Sequence, residues 1–367
     1  MRPGAVRCAA ARRQSGAALL AAMLTVTLVA TFAASALWQQ WRSVEVETAE
    51  RARVQAGWIL TGALDWSRLI LREDGRAGGA DYLAEPWAVP LNEARLSSFL
   101  AVDQTASETE REAFLSGQVI DLQSRLNVSN LIEGNTVSAP ALASFSRLFE
   151  LLGLPNEQLL TLASNLIDAV RDPALATSPN TAGAGAVVAP PPAPTASAAA
   201  APGTQPPVRA PAAAAVTSPL SPLMPQRVDQ LAWLGVPQAT LAVLGPYITL
   251  LPQRTAVNLN TASAEVIYAS TPGLDMADAQ RLVAVRDRKH FNTVAEANQQ
   301  LGGAEVKFSD ALHSVSSRFF EVTGRLRLEQ TVVQERSVLQ RDGLAVRTLW
   351  RHRGVVITAA PPGTGRP

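Results

Sequence analysis

RRQSGAALLAAMLTVTLVATFAASALWQQWR, residues 12–42, decides how the rest of the chain is organised. From Gly16 to Trp38 no charged side chain interrupts the run, and a helix needs about 20 apolar residues to cross a bilayer core. The run can span. A cleavable secretory signal has an apolar stretch of roughly 7 to 15 residues ending in a small-x-small site. Ala34-Ser35-Ala36 offers such a site, but at the far end of a stretch too long for that reading. Arg2, Arg7, Arg12 and Arg13 precede the run and the first acidic residue is Glu45, so the positive-inside rule keeps the amino end cytoplasmic and exports the rest.

Helical spacing continues past the run through Val44, Val54, Trp58, Leu60, Leu64, Ile70 and Leu71, interleaved with Glu45, Glu47, Glu50, Arg51, Arg53 and Arg68. No proline occurs between Ala17 and Arg72, which permits one continuous helix of about 80 Å at 1.5 Å per residue. Its first half suits lipid and its second half suits packing on a soluble domain. Hydrophobic residues make up 47% of the chain and the net charge is +1, so no bulk electrostatic partner is implied. The only cysteine, Cys8, precedes the apolar run, which excludes disulfides and cysteine-ligated zinc beyond it.

Further along, GQVIDLQSRLNVSN (117–130) places Val119, Leu122, Leu126 and Val128 in one or two short strands, with Asn127 and Asn130 as turn formers. Residues 139–172 carry Leu142, Phe145, Leu148, Leu151, Leu152, Leu159, Leu162 and Leu166 at helical spacing, broken by Gly153 and Pro155 into two helices. From Pro173 to Pro225 the chain is rich in alanine and proline and Arg209 is its only charge, so it is expected to be disordered. In residues 257–301, Thr261 or Ser263 caps a first helix, Pro272-Gly273 turns, and Ala277 to Arg288 form a second. Residues 318–353 alternate apolar and polar side chains around the hairpin signal Asp342-Gly343 and predict two or three antiparallel strands.

A short basic leader ending in Gly16, then a helix that is apolar first and amphipathic later, resembles type IV prepilins and type II secretion pseudopilins. The resemblance implies cleavage by a prepilin peptidase between Gly16 and Ala17, with the helix retained as anchor and assembly element. Most such proteins carry glutamate at the fifth mature position, which here is Ala21. That absence, together with ADYLAEPWAVP (80–90) and GQVIDLQSRLNVSN, is similar to the minor pseudopilin family called general secretion pathway protein K.

The family implies an α+β chain, a pilin-like fold of a long helix and a small antiparallel sheet, carrying a large inserted all-helical domain with a helix-hairpin-helix or SAM-like unit. The expected divisions are leader 1–16, transmembrane part 17–38, amphipathic part 39–72, pilin-like domain 73–130 and 316–353, inserted domain 131–315 containing the tract 173–225, and a disordered tail 354–367. The implied role is structural: an inner-membrane subunit with its bulk in the periplasm, capping the pseudopilus beside minor pseudopilins of types I and J. The resemblance also raises calcium, which some relatives bind through carboxylates in the insertion. Here only Asp168 and Asp172 remain, as remnants of such a site, and a calcium site with several carboxylate ligands is weakened or lost.

The alternative is a membrane-tethered DNA receptor, since helix-hairpin-helix units often bind DNA phosphates. Two features oppose it. The hairpin reads Gly273-Leu274-Asp275, with a carboxylate where a phosphate would sit. Residues 254–307 balance six basic side chains against six acidic ones, whereas nucleic-acid binders need a net positive face. No enzyme is implied, because His290, His313 and His352 lack metal-ligand spacing and read as surface or capping residues.

Overall fold

The computed structural model describes residues 15–96, 113–171, 222–301, 306–328 and 331–356. Residues 1–14 of the expected leader, Asp172, most of the alanine- and proline-rich tract and the last residues of the tail lie outside them.

Helix α1 runs unbroken from Ser15 to Ala77, 63 residues, or about 95 Å. Its end is set by Gly78 and Gly79, at φ 67° and 112°, with the Gly78 amide donating to Asp74 O at 3.0 Å. Left-handed backbone costs glycine little, so the pair stops the helix five residues later than the amphipathic spacing suggests. From Ala18 to Arg51 every residue of α1 is exposed. Beyond it, Ala56, Leu60, Leu64 and Leu71 are buried against a sheet.

That sheet has five antiparallel strands in chain order: β1 (Leu91–Arg95), β2 (Ala113–Asp121), β3 (Phe319–Leu328), β4 (Thr331–Asp342) and β5 (Ala345–Val356). Alternation along β3 sends Phe320, Val322, Leu326 and Leu328 toward α1. Gly324 lies between them because a Cβ there would stand 3.1 Å from Leu60 Cδ2. Glu335 is buried on the same face, held by Arg351 at 2.6 Å and Arg353 at 2.6 Å. Arg351 also donates to Thr61 Oγ1 at 3.1 Å, so the pair ties β5 to the helix.

Several boundaries differ from the sequence reading. β2 begins at Ala113 and ends at Asp121, and the following Leu122–Ser124 is a 3-10 turn capped by Asp121, not a strand. β1 has no counterpart in the sequence reading, because LNEAR has no apolar alternation. β5 continues to Val356, into the expected tail. Pro225 is buried, so ordered chain starts before the tract ends.

Between β2 and β3 the chain makes a separate helical body containing α2 (Ala139–Leu151), α3 (Asn156–Arg171), α4 (Gln238–Leu244), α5 (Ala264–Ser270), α6 (Met276–Arg286) and α7 (Val294–Asn298). Phe145, Leu148, Phe149, Leu159, Leu162, Leu231 and Ile267 form its core. Gly153, at φ 67°, makes the break between α2 and α3. Ser263 caps α5, accepting from Val266 N at 3.4 Å, and Thr261 is engaged elsewhere. α6 starts at Met276, with Asp275 Oδ1 accepting from Asp278 N at 2.7 Å. His313 is buried at 2% exposure, contrary to the surface or capping expectation. Its ring meets Thr271 Oγ1 at 3.1 Å and Ser270 Oγ at 3.2 Å, and burial pushes its pKa down to about 4, so the ring is neutral and structural.

Candidate functional site

Two regions stand out: the bare half of α1 and the joint where the helical body leaves the sheet. On α1, Leu19, Leu20, Met23, Leu24, Val29 and Phe32 are exposed, in a segment long and apolar enough to cross a membrane. The hydroxyls of Thr25, Thr27, Thr31 and Ser35 donate to carbonyls three residues back, at 2.8 to 3.0 Å. No hydroxyl there needs water, which suits an apolar surrounding. Trp38 and Trp41 stand side by side, ring centroids 5.4 Å apart, ahead of Arg42. Aromatic residues followed by a cation mark the interfacial end of a membrane helix. Ala21 is exposed within the apolar segment, and Gly16 and Ala17 lie in the first turns of α1.

Higher on the helix, a cleft of about 780 Å³ opens between α1 and β2, lined by Trp58, Ile59, Trp66, Trp87, Val89 and Leu115. Trp58 is 74% exposed. Large apolar side chains left bare mark contact surfaces.

The joint is polar and buried. Asp121, at the end of β2, accepts from Gln123 N at 2.7 Å through one carboxylate oxygen. Its other oxygen accepts from Asn258 Nδ2 at 3.1 Å, Thr261 Oγ1 at 2.5 Å and Ser317 Oγ at 2.6 Å. Asp81, on the strap after α1, accepts from Ser317 N at 2.6 Å and from Arg341 at 2.5 Å. Arg341 also pairs with Asp74 at the end of α1. Burial pushes Asp81 up to about 6 although Arg341 opposes the shift, and pushes Asp121 up as well. Glu85, accepting from Tyr82 N at 3.0 Å and Trp87 Nε1 at 2.7 Å, is raised to about 7, chiefly by desolvation.

Asp74, Asp81 and Glu85 bring carboxylate oxygens within 4.8 Å of one another. Arg341 already bonds two of them and one Glu85 oxygen accepts from Tyr82 N and Trp87 Nε1, so these oxygens are engaged from within the protein. Asp168, the remaining calcium candidate among the described residues, is exposed on α3 and is not in that group. The amino end of α6, where a phosphate would bind, is held by Asp275, and Arg281 pairs with Asp278 at 2.6 Å.

Sequence reasoning quoted the segments containing Asp81 and Asp121 without giving either residue a role. The available signal was a carboxylate at the end of an otherwise apolar strand, as in GQVID.

Two sequence profiles for type II secretion system protein K match this chain, over residues 124–253 and 257–316. A protein named type II secretion system protein K, from Pseudomonas aeruginosa, is 25% identical over 352 residues, covering 94% of each chain. The chain belongs to the type II secretion system protein K family. Both matches lie in the region between β2 and β3, so it is the insertion that most identifies a protein K. A solved GspK–GspI–GspJ complex from the type 2 secretion system of enterotoxigenic Escherichia coli contains a chain with the same fold. Its TM-score is 0.54 at 14% identity, covering 83% of this chain and 98% of that one. As a protein K, the molecule is a minor pseudopilin, a structural component of type II secretion.

Proposed function

We propose that this protein K caps the periplasmic tip of the pseudopilus and serves the export of folded proteins across the outer membrane. One observation carries the reading. The chain leaves for the helical body after Asp121 and returns before Phe319, beside Asp81 and Asp74, at the end of α1 farthest from its apolar segment. A body of that size at that end obstructs a subunit stacked above and leaves the lower part of α1 free for subunits below.

In this reading α1 anchors the chain once in the inner membrane, with the bulk in the periplasm. Prepilin peptidase cuts between Gly16 and Ala17, and Ala21 dispenses with a glutamate because no amine ahead needs neutralising. A carboxylate is costly in lipid. Minor pseudopilins of types I and J pack against α1 above Trp38, and the GspK–GspI–GspJ complex of Escherichia coli supports that choice of partners.

The test uses intact mass and complex formation. Mature protein should begin at Ala17, and it should form a stoichiometric complex with purified type I and J pseudopilins from the same system while leaving duplex DNA unbound at physiological salt. Cleavage after Ala36, or micromolar DNA binding without those partners, overturns the reading.

A further inference from the structure

The apolar contact between the helical body and the sheet is small. It consists of Leu122, Leu251, Phe319 and Val338, with Leu349 and Trp350 beside them. Two chain crossings and a patch of that size form a hinge unless something directional holds it, because apolar contact has no preferred angle. Hydrogen bonds do have one.

Most of the directional bonds converge on Asp121 and Asp81, and Gln123 adds two, donating to Ala256 O at 3.1 Å and accepting from Arg318 N at 2.7 Å. Asp121 binds four donors drawn from separate pieces: its own turn through Gln123, the helical body through Asn258 and Thr261, and the returning strand through Ser317. Asp81 adds the strap that leaves α1. Its amide donates to Val315 O at 2.8 Å and its carbonyl accepts from Asn258 Nδ2 at 3.1 Å. Arg341 then joins Asp81 on the strap, Asp74 on α1 and Ser317 O at 2.9 Å. Beside them Tyr82 stacks on His290 of the helical body, ring centroids 3.7 Å apart and planes 9° from parallel.

We propose that Asp121, Asp81 and Arg341 are positioning residues that lock the helical body to α1 and the sheet as one rigid piece. The orientation of the body is then set by buried hydrogen bonds. A push along α1 reaches the tip body without bending at the crossings.

The perturbation is Asp121→Asn, which keeps shape but replaces one acceptor oxygen by a donor. With the amide on one side it faces Asn258, Thr261 and Ser317, and on the other it faces Gln123 N, so either rotamer sets donor against donor. Spin labels at Leu69→Cys on α1 and Leu160→Cys on α3, both exposed, report the angle by pulsed dipolar distances in the full chain in detergent, with Cys8→Ser. A second pair within the body, Leu160→Cys and Trp233→Cys, reports its internal integrity; both positions are exposed.

The parent should give one narrow distribution for each pair. Asp121→Asn and Arg341→Met should broaden the α1-to-body distribution severalfold and leave the within-body pair narrow. Glu133→Gln, which breaks an exposed pair with Arg254, should change neither. If Asp121→Asn also broadens the within-body pair, the decision passes to Thr261→Val and Ser317→Ala, which each remove one donor. Distributions as narrow as the parent's in these variants overturn the proposal.

Discussion

Phe319 and Phe320 are adjacent in β3 but enter different cores, and truncating them one at a time separates the two. Phe320 is fully buried against α1, with its ring 5.2 Å from Trp87 at 70° and the Arg341 guanidinium 4.9 Å from its centre. Phe320→Ala removes a fully buried ring, which costs about 3 to 5 kcal/mol. That loss includes the edge-to-face pair with Trp87, worth about 0.5 to 1.5 kcal/mol. For a folded unit of this size each kcal/mol lowers Tm by roughly 2 to 4 °C, so a fall of about 6 to 20 °C is expected. Thermal unfolding of the full chain in detergent measures it. The part of the near-ultraviolet circular dichroism that Trp87→Phe removes follows the Trp87 environment, which Phe320→Ala should alter before global unfolding. Phe319→Ala is equally buried but faces Leu122 and Leu251, and should leave the Trp87 signal unchanged while increasing proteolysis at the crossings. A Tm change below about 3 °C for Phe320→Ala would refute the packing of α1 on this face, and a Trp87 change in Phe319→Ala would refute the assignment of the two rings to separate cores.

Gly324→Ala should destabilise by about 1 to 2 kcal/mol in urea denaturation, because its Cβ meets Leu60 Cδ2 at 3.1 Å; no loss would mean that α1 sits farther from the sheet. The raised Glu85 makes stability pH-dependent: its contribution is complete below the ordinary carboxylate value of 4.5 and is lost as pH rises through about 7. Parent protein should therefore lose Tm between these pH values by more than Glu85→Gln does, and equal slopes would contradict the shift. Ala21→Glu should leave pseudopilus assembly and secretion at or slightly below the parent level, as scored by export of a reporter substrate. A gain would show that an amine ahead of this subunit is waiting for a carboxylate.

Elements whose evidence is local can be read from the order of residues alone. An uncharged run from Gly16 to Trp38 makes a helix long and apolar enough to cross a membrane, and α1 follows without a break because nothing in its residues stops it before Gly78. The Asp342-Gly343 signal and the apolar–polar alternation give β4 and β5, and Gly153 and Gly273 punctuate the helical body where the backbone takes positive φ. The resemblance carried by Gly16, Ala21 and the segment around Asp121 gave the family.

The remaining features depend on contacts that form when the chain closes. β1 has no pattern of its own and exists because β2 offers it hydrogen bonds. His313 reads as a polar surface residue until Ser270, Thr271 and Phe308 close over it. Thr261 looked like a helix cap and instead binds Asp121. Asp81 and Arg341 are 260 positions apart, and no periodicity reaches that far. A charged residue in a sequence is assumed to face water until a fold supplies its partner, so the buried joint that sets the body on α1 could be recognised only after the chain had closed on itself.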